Sequence, residues 1–195
     1  MAWRMKLTAD VLSKLSTTDL IALAAIMQWQ QQTARPKQLS PPGNWHTWLI
    51  MAGRGWGKTR TGAEWAWQES WAWPNTITHV VSRTAEDHEK VTFDGPSGLL
   101  RVIPPQLIAH KTMSPYYIRL INGSELISFS AEQPESLRGP QCHRTWADEV
   151  GAWKYPSETW DQINLSTRLP LSNSKEPNRT LITTTPRPSK VIKDL

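Results

Sequence analysis

The chain has 195 residues, 38% of them hydrophobic, with 12 tryptophans, one cysteine and a formal net charge of +5. That length suits one domain with at most an appended segment, the composition excludes a disordered chain, and the mild basic balance admits a nucleic-acid partner without requiring one. A single cysteine, Cys142, excludes an internal disulfide or a cysteine-rich zinc site and fits a reducing, cytoplasmic setting, while the longest early apolar run, Leu20 to Met27, is too short to span a bilayer.

Thr8 offers a cap for a first short helix. Ser16-Thr17-Thr18-Asp19 offers a cap and an early acid for a second, over 20–32. Pro36 and Ser40-Pro41-Pro42-Gly43 break that pattern, so 1–43 reads as a helical segment and linker ahead of a domain over 44–195. Thr47 to Met51 reads as a buried strand. Thr61 to Trp73 reads as a helix with Ala63, Ala66, Trp67 and Ser70 at helical spacing. Trp65, Trp67, Trp71 and Trp73 spread round that helix, so at least two should face the core. Thr76 to Ser82 is rich in β-branched residues and reads as a strand, and Asp87 to Phe93 as a helix ending before Gly95-Pro96. Tyr116 to Ile121 and Ser124 to Ser130 flank Asn122-Gly123, a strong hairpin signal. Gln141 to Ala147 reads as a strand, Pro156 to Leu169 as a helix, and Arg179 to Thr185 as a last strand. Strands alternating with helices predict an α/β fold: a mainly parallel central sheet flanked by helices, with the hairpin inserted at one side.

Residues 52–59, Ala-Gly-Arg-Gly-Trp-Gly-Lys-Thr, join the first strand to its helix. Gly53, Gly55 and Gly57 let successive N–H groups turn inward around a phosphate, Lys58 reaches the outer phosphates, and the Thr59 hydroxyl suits Mg²⁺. Strand, glycine loop and helix are the context such a loop needs. The pattern departs in two places. Ala52 stands where a glycine is usual. Trp56 is bulky, and either packs against the sheet edge or impedes loop closure. Downstream, Asp148 would hold Mg²⁺, directly or through water, and Glu149 would accept a proton from an attacking water. Thr183, Thr184 and Thr185 end the next strand, where hydroxyls would lie beside a terminal phosphate. Arg54 and Arg138 are candidates for stabilising transition-state charge. A basic track of Lys111, Arg119, Lys175, Arg179, Arg187, Lys190 and Lys193 along one edge is conceivable for DNA, with ordinary surface charge as the simpler reading.

The ordered motifs resemble the ATPase domain of the large terminase subunit of tailed double-stranded-DNA bacteriophages or prophages. The similar stretches are Ala34-Arg35-Pro36 with the Pro-Pro-Gly linker, Trp48 to Trp65, Ser82 to Asp87, Gly95 to Leu100, Phe129 to Glu132, Ser136 to Gln141, Trp146 to Glu149 and Ile182 to Pro188. The resemblance implies a P-loop ATPase that uses ATP and Mg²⁺ to move double-stranded DNA into a capsid, in the cytoplasm of a bacterial host. It implies partnership with a portal protein and a small terminase subunit, and assembly as a homo-oligomeric ring. Under it, Gly53 to Thr59 bind nucleotide, Asp148 and Thr59 hold the metal, and Glu149 is the catalytic base. Thr183 to Thr185 couple hydrolysis to movement, Arg54 contacts phosphates of its own subunit, and Arg138 serves a neighbour as an arginine finger. Arg35 and Gln38 would lie near the adenine. Terminases of this kind continue into a nuclease domain, which is not expected here because nothing after residue 188 could hold its acidic cluster. The ATPase domain is expected to be C-terminally truncated. The alternative expectation is a prophage remnant that binds nucleotide or a packaging partner without turnover. A helicase-like ATPase or a small-molecule kinase is a third reading, disfavoured by the missing second motor domain and by the Asp-Glu pair respectively.

Overall fold

The computed structural model describes residues 8–172, 174–187 and 190–194. Residues 1–7, Pro188 and the Lys190 side chain lie outside the described residues, and with them parts of the N-terminal segment, the threonine motif and the basic track. The helices are α1 (Ala9–Ser13), α2 (Thr17–Met27), α3 (Lys58–Ala72), α4 (Ala85–Asp87), α5 (Leu99–Val102), α6 (Pro156–Ser166) and α7 (Lys190–Asp194). The strands are β1 (Thr47–Met51), β2 (Ile77–Ser82), β3 (Ile108–Met113), β4 (Tyr116–Leu120), β5 (Glu125–Ser130), β6 (Arg144–Asp148) and β7 (Arg179–Thr184). They form one seven-stranded sheet in the order β1-β7-β6-β2-β5-β4-β3. β1, β7, β6, β2 and β5 run parallel, and β4 and β3 extend one edge antiparallel. The Asn122-Gly123 hairpin is therefore present, but one of its arms, β5, is itself a strand of the parallel sheet.

Successive side chains of a strand point to opposite faces, and here both faces are covered. Val80, Trp146 and Leu181 pack with Ala63, Ala66 and Trp67 of α3. Their neighbours Val81, Ala147 and Ile182 pack with Ile163 of α6 and Val191 of α7. Burial on both faces explains why β2 and β7 set apolar residues side by side, at Val80-Val81 and Leu181-Ile182, rather than alternating. α2 is fastened by a Ser16–Asp19 capping box, and its Ala22 and Ile26 join the α3-side core. Trp65 and Trp67 are both buried, as their helical positions require.

One contact ties this packing to the site. A Cβ added at Gly62 would stand 2.1 Å from the Trp146 ring, whose Nε1 donates to Thr183 Oγ1 at 2.9 Å. Gly62→Ala is expected to cost about 1–3 kcal/mol of stability through overpacking. Thermal unfolding measures it, and a transition temperature equal to wild type would contradict the contact.

His79, in the middle of β2, is wholly buried beside Phe129, and neither ring nitrogen has a hydrogen-bond partner. Burial alone lowers its pKa to about 4. The unfolded imidazole titrates near its ordinary value, so below about pH 6.5 the unfolded chain binds the extra proton. Stability from this site is whole above that pH and falls as pH drops toward 4. Because buried Asp148 pulls the opposite way, the measurement is a difference between variants. His79→Leu is expected to flatten the acid limb by about 2–3 kcal/mol between pH 6.5 and 4 in urea titrations. Parallel curves for variant and wild type would refute it.

Candidate active site

The glycine loop runs from β1 to α3, as its sequence context requires. Gly55 and Gly57 have φ of 79° and 88°, values open to glycine and strained for other residues. Gly57, in the left-handed conformation, is the N-cap residue of α3, so the helix begins at Lys58 rather than at Thr61. The start of α3 thus presents backbone N–H groups and the positive end of the helix dipole to the loop. Lys58 Nζ donates to the carbonyls of Ala52 and Gly53 at 3.0 and 3.2 Å and stands 3.5 Å from Glu149 Oε1.

Asp148 and Glu149 end β6, directly across from the loop. Asp148 is buried, and its Oδ1 accepts from Thr183 Oγ1 at 2.6 Å. Burial pushes its carboxyl up to about 7, against the hydrogen bond from Thr183. Glu149 has φ of 53°, left-handed for a residue with a side chain. That turn carries its carboxylate to Thr185, whose Oγ1 lies 2.9 and 3.0 Å from the two carboxylate oxygens and whose N–H donates at 3.2 Å. Neighbours in sequence, the two acids therefore have different settings. Asp148 is enclosed beside Thr183, and Glu149 lies half-exposed between Lys58 and Thr185.

These groups line a cleft of ≈ 640 Å³. Of the residues expected to bind or act, Arg54, Gly55, Gly57, Lys58, Thr59, Asp148, Glu149 and Thr185 line it. Gly53 lies behind it, holding Lys58 through its carbonyl. Trp56 lines a separate groove with Pro36, Met51 and Ala52 and packs, half-buried, against the α3-side core. The three threonines part company, because Thr183 and Thr184 alternate faces on β7 and Thr185 lies just past its end. Thr183 braces Asp148, Thr184 Oγ1 accepts from Gly151 N–H at 2.9 Å, and Thr185 reaches the cleft. Arg138 is exposed beside Glu135 at 3.4 Å, away from the residues that line the cleft.

Arg83, Asp87 and Lys90 face the loop from the segment after β2, and Arg60 and Arg187 complete the lining. Their roles were not legible in the sequence. An arginine after a strand carries no local signal of what the sheet will place opposite it. The basic track does not form. Arg179 is buried against Glu69 and Glu176, Arg187 lines the cleft, and Arg119 on β4 is separated from β7 by β6, β2 and β5.

Asp148 and Thr59 present a carboxylate and a hydroxyl to the cleft, hard oxygen donors that fit Mg²⁺. Among the described residues no helix is long and apolar enough to cross a membrane.

Comparison with known proteins agrees with this geometry. No curated protein matches the chain. The large terminase of a thermophilic bacteriophage superposes with a TM-score of 0.56 at 10% identity, over 84% of this chain and 38% of that one. The chain thus spans well under half of that relative's length. Another structure of the same terminase holds ADP, with a TM-score of 0.54 at 11% identity over 84% of this chain and 37% of that one. The large terminase ATPase domain of Thermus phage P74-26 superposes with a TM-score of 0.56 at 19% identity, over 92% of this chain and 72% of that one. These likenesses show the fold, an α/β P-loop fold with a mostly parallel sheet. Residues 49–195 match the family described as terminase large subunit, T4likevirus-type, N-terminal, and the chain belongs to that family.

Proposed function

We propose that this chain is the ATP-hydrolysing motor domain of a DNA-packaging terminase, coupling hydrolysis of Mg-ATP to translocation of double-stranded DNA into a capsid. The observation that carries the reading is the pairing across one cleft of Lys58 on the glycine loop with Glu149, itself held by Thr185. The ATPase domain is assigned to 44–195 and a helical segment and linker to 1–43, of which α2 and the Arg35–Gln38 turn pack against the domain.

The loop N–H groups from Gly53 to Thr59 and the Lys58 ammonium bind the phosphates, and Arg54 adds charge from the same loop. Asp148 and Thr59 would hold Mg²⁺, which supplies charge neutralisation on the phosphate oxygens when bound. Glu149 takes a proton from a water as its oxygen bonds to the terminal phosphorus and the bond to ADP breaks. Thr185 holds the Glu149 carboxylate in place for that step. Because Thr185 directly follows β7, on which Thr183 braces Asp148, a shift of β7 is felt by both acids, which gives the threonines a route for coupling. Arg138, exposed and outside the cleft, is placed for a neighbouring subunit in a ring. Portal protein and small terminase subunit are the partners this function requires, in the host cytoplasm.

Steady-state ATP hydrolysis with Mg²⁺, with and without double-stranded DNA, tests the reading. Lys58→Ala is expected to lower turnover by about 10²–10³-fold, as loss of a transition-state charge does. Unchanged turnover in that variant would sink the site assignment.

A further inference from the structure

The segment just before the matched family region has its own grip on the phosphate loop. Arg35 donates through Nη2 to the carbonyl oxygen of Trp56, and its guanidinium carbon stands 5.1 Å from the centre of the Trp56 ring. Gln38 closes the same turn. Its Oε1 accepts from the Arg35 N–H at 3.1 Å, and its Nε2 donates to Thr61 Oγ1 at 3.0 Å. The Thr61 hydroxyl in turn donates to Gly57 O at 2.9 Å. A Cβ on Gly57 would meet Gln38 Nε2 at 2.9 Å, so the strap lies in contact with the loop. A second cation–π contact, Arg60 over Trp29 at 5.5 Å, ties the start of α3 to the same segment.

The peptide that joins Trp56 to Gly57 gives these contacts a consequence. Across a planar trans peptide the carbonyl and the N–H point in opposite directions. Arg35 holds the Trp56 carbonyl on the strap side of the loop. The Gly57 N–H must then face the other side, toward the cleft that Gly57 lines. Stacking of the guanidinium on the indole holds both partners in that geometry. We infer that Arg35 and Trp56 are positioning residues that orient the 56–57 peptide for a bound polyphosphate, and so set nucleotide affinity through the loop rather than by touching the base. This rests on the reading of the cleft as a nucleotide site.

Equilibrium binding of ATP, GTP and inorganic tripolyphosphate to the whole chain, by calorimetry, separates the possibilities. Arg35→Met and Trp56→Ala are expected to weaken all three ligands alike, by about tenfold, with Trp56→Phe retaining most of the affinity because it keeps a ring beneath the guanidinium. In steady-state hydrolysis by Arg35→Met the loss is expected mainly in KM for ATP, with a smaller change in kcat. Should Trp56→Ala fail to fold, Arg35→Met and Trp56→Phe decide. Arg35→Met that loses ATP alone and keeps tripolyphosphate would place Arg35 on the base and overturn the inference, as would unchanged affinity for all three. If wild type binds none of the ligands, the nucleotide reading fails and the latch falls with it. If wild type binds them and Lys58→Ala does not, the Arg35 variants judge the latch alone.

Discussion

Replacing Glu149 with glutamine is expected to lower ATP turnover by about 10²–10⁴-fold while leaving nucleotide binding nearly intact. The two side chains have the same shape, and the amide oxygen can still accept from Thr185, so the left-handed turn at residue 149 survives. What disappears is the carboxylate proposed to take the water proton, which faces Lys58 at 3.5 Å. Asp148 is not positioned to substitute, because its carboxylate is buried and engaged by Thr183. Single-turnover hydrolysis beside an ATP-binding isotherm makes the measurement. Turnover within a factor of about three of wild type would remove Glu149 from the role of base.

Glu69→Ala is expected to cost about 3–5 kcal/mol of stability, the largest effect of any single ion-pair removal in this fold. Glu69 Oε2 accepts from Arg144 Nε at 2.8 Å, and its Oε1 stands 3.6 Å from Arg179 Nη1. Both arginines are buried. Arg144 also donates to the carbonyls of His143 and Pro177, yet its Nη2 lacks a hydrogen-bond partner, so this guanidinium is already incompletely satisfied. Arg179 stacks on Trp45 at 4.7 Å and stands 3.3 Å from Glu176. Losing Glu69 would take away the carboxylate that pairs with buried Arg144 and leave Arg179 beside Glu176. By contrast, the exposed Asp10–Lys14 pair on α1 is solvated, and Asp10→Ala should change stability by less than about 0.5 kcal/mol. Urea unfolding of both variants distinguishes the cases. Equal midpoints would show that the buried network carries no net charge pairing.

Local chemistry was enough for the elements whose signals are local. The run Thr47 to Met51 forms β1 over the residues expected of it, because β-branched and apolar side chains ahead of a glycine break leave few alternatives. Ser16 and Asp19 make the capping box that their spacing announces, and Asn122-Gly123 turns the chain with Gly123 at φ 83°. The glycine loop between β1 and α3 was legible for the same reason: Gly55, Gly57, Lys58 and Thr59 are neighbours in sequence and line one cleft.

Other features needed the tertiary structure. β3 was missed because its side chains are mostly exposed at a sheet edge, with His110 and Lys111 interrupting any apolar alternation. The turns after α2 and α4 widen into π-helix, which no residue pattern marks. The left-handed Glu149 has no sequence signature either, since its conformation is imposed by Thr183 O, which accepts its N–H, and by Thr185. Arg83 and Lys90 reach the cleft, Arg179 leaves the surface, and Glu69 finds Arg144 far along the chain only once strand order is settled. Sequence by itself determined the fold class, the phosphate loop and the order of the acidic and threonine motifs, because propensity and spacing act over a few residues. Which charges are buried together, which threonine reaches the cleft and how the N-terminal strap grips the loop depend on pairings between distant segments, and packing decided them.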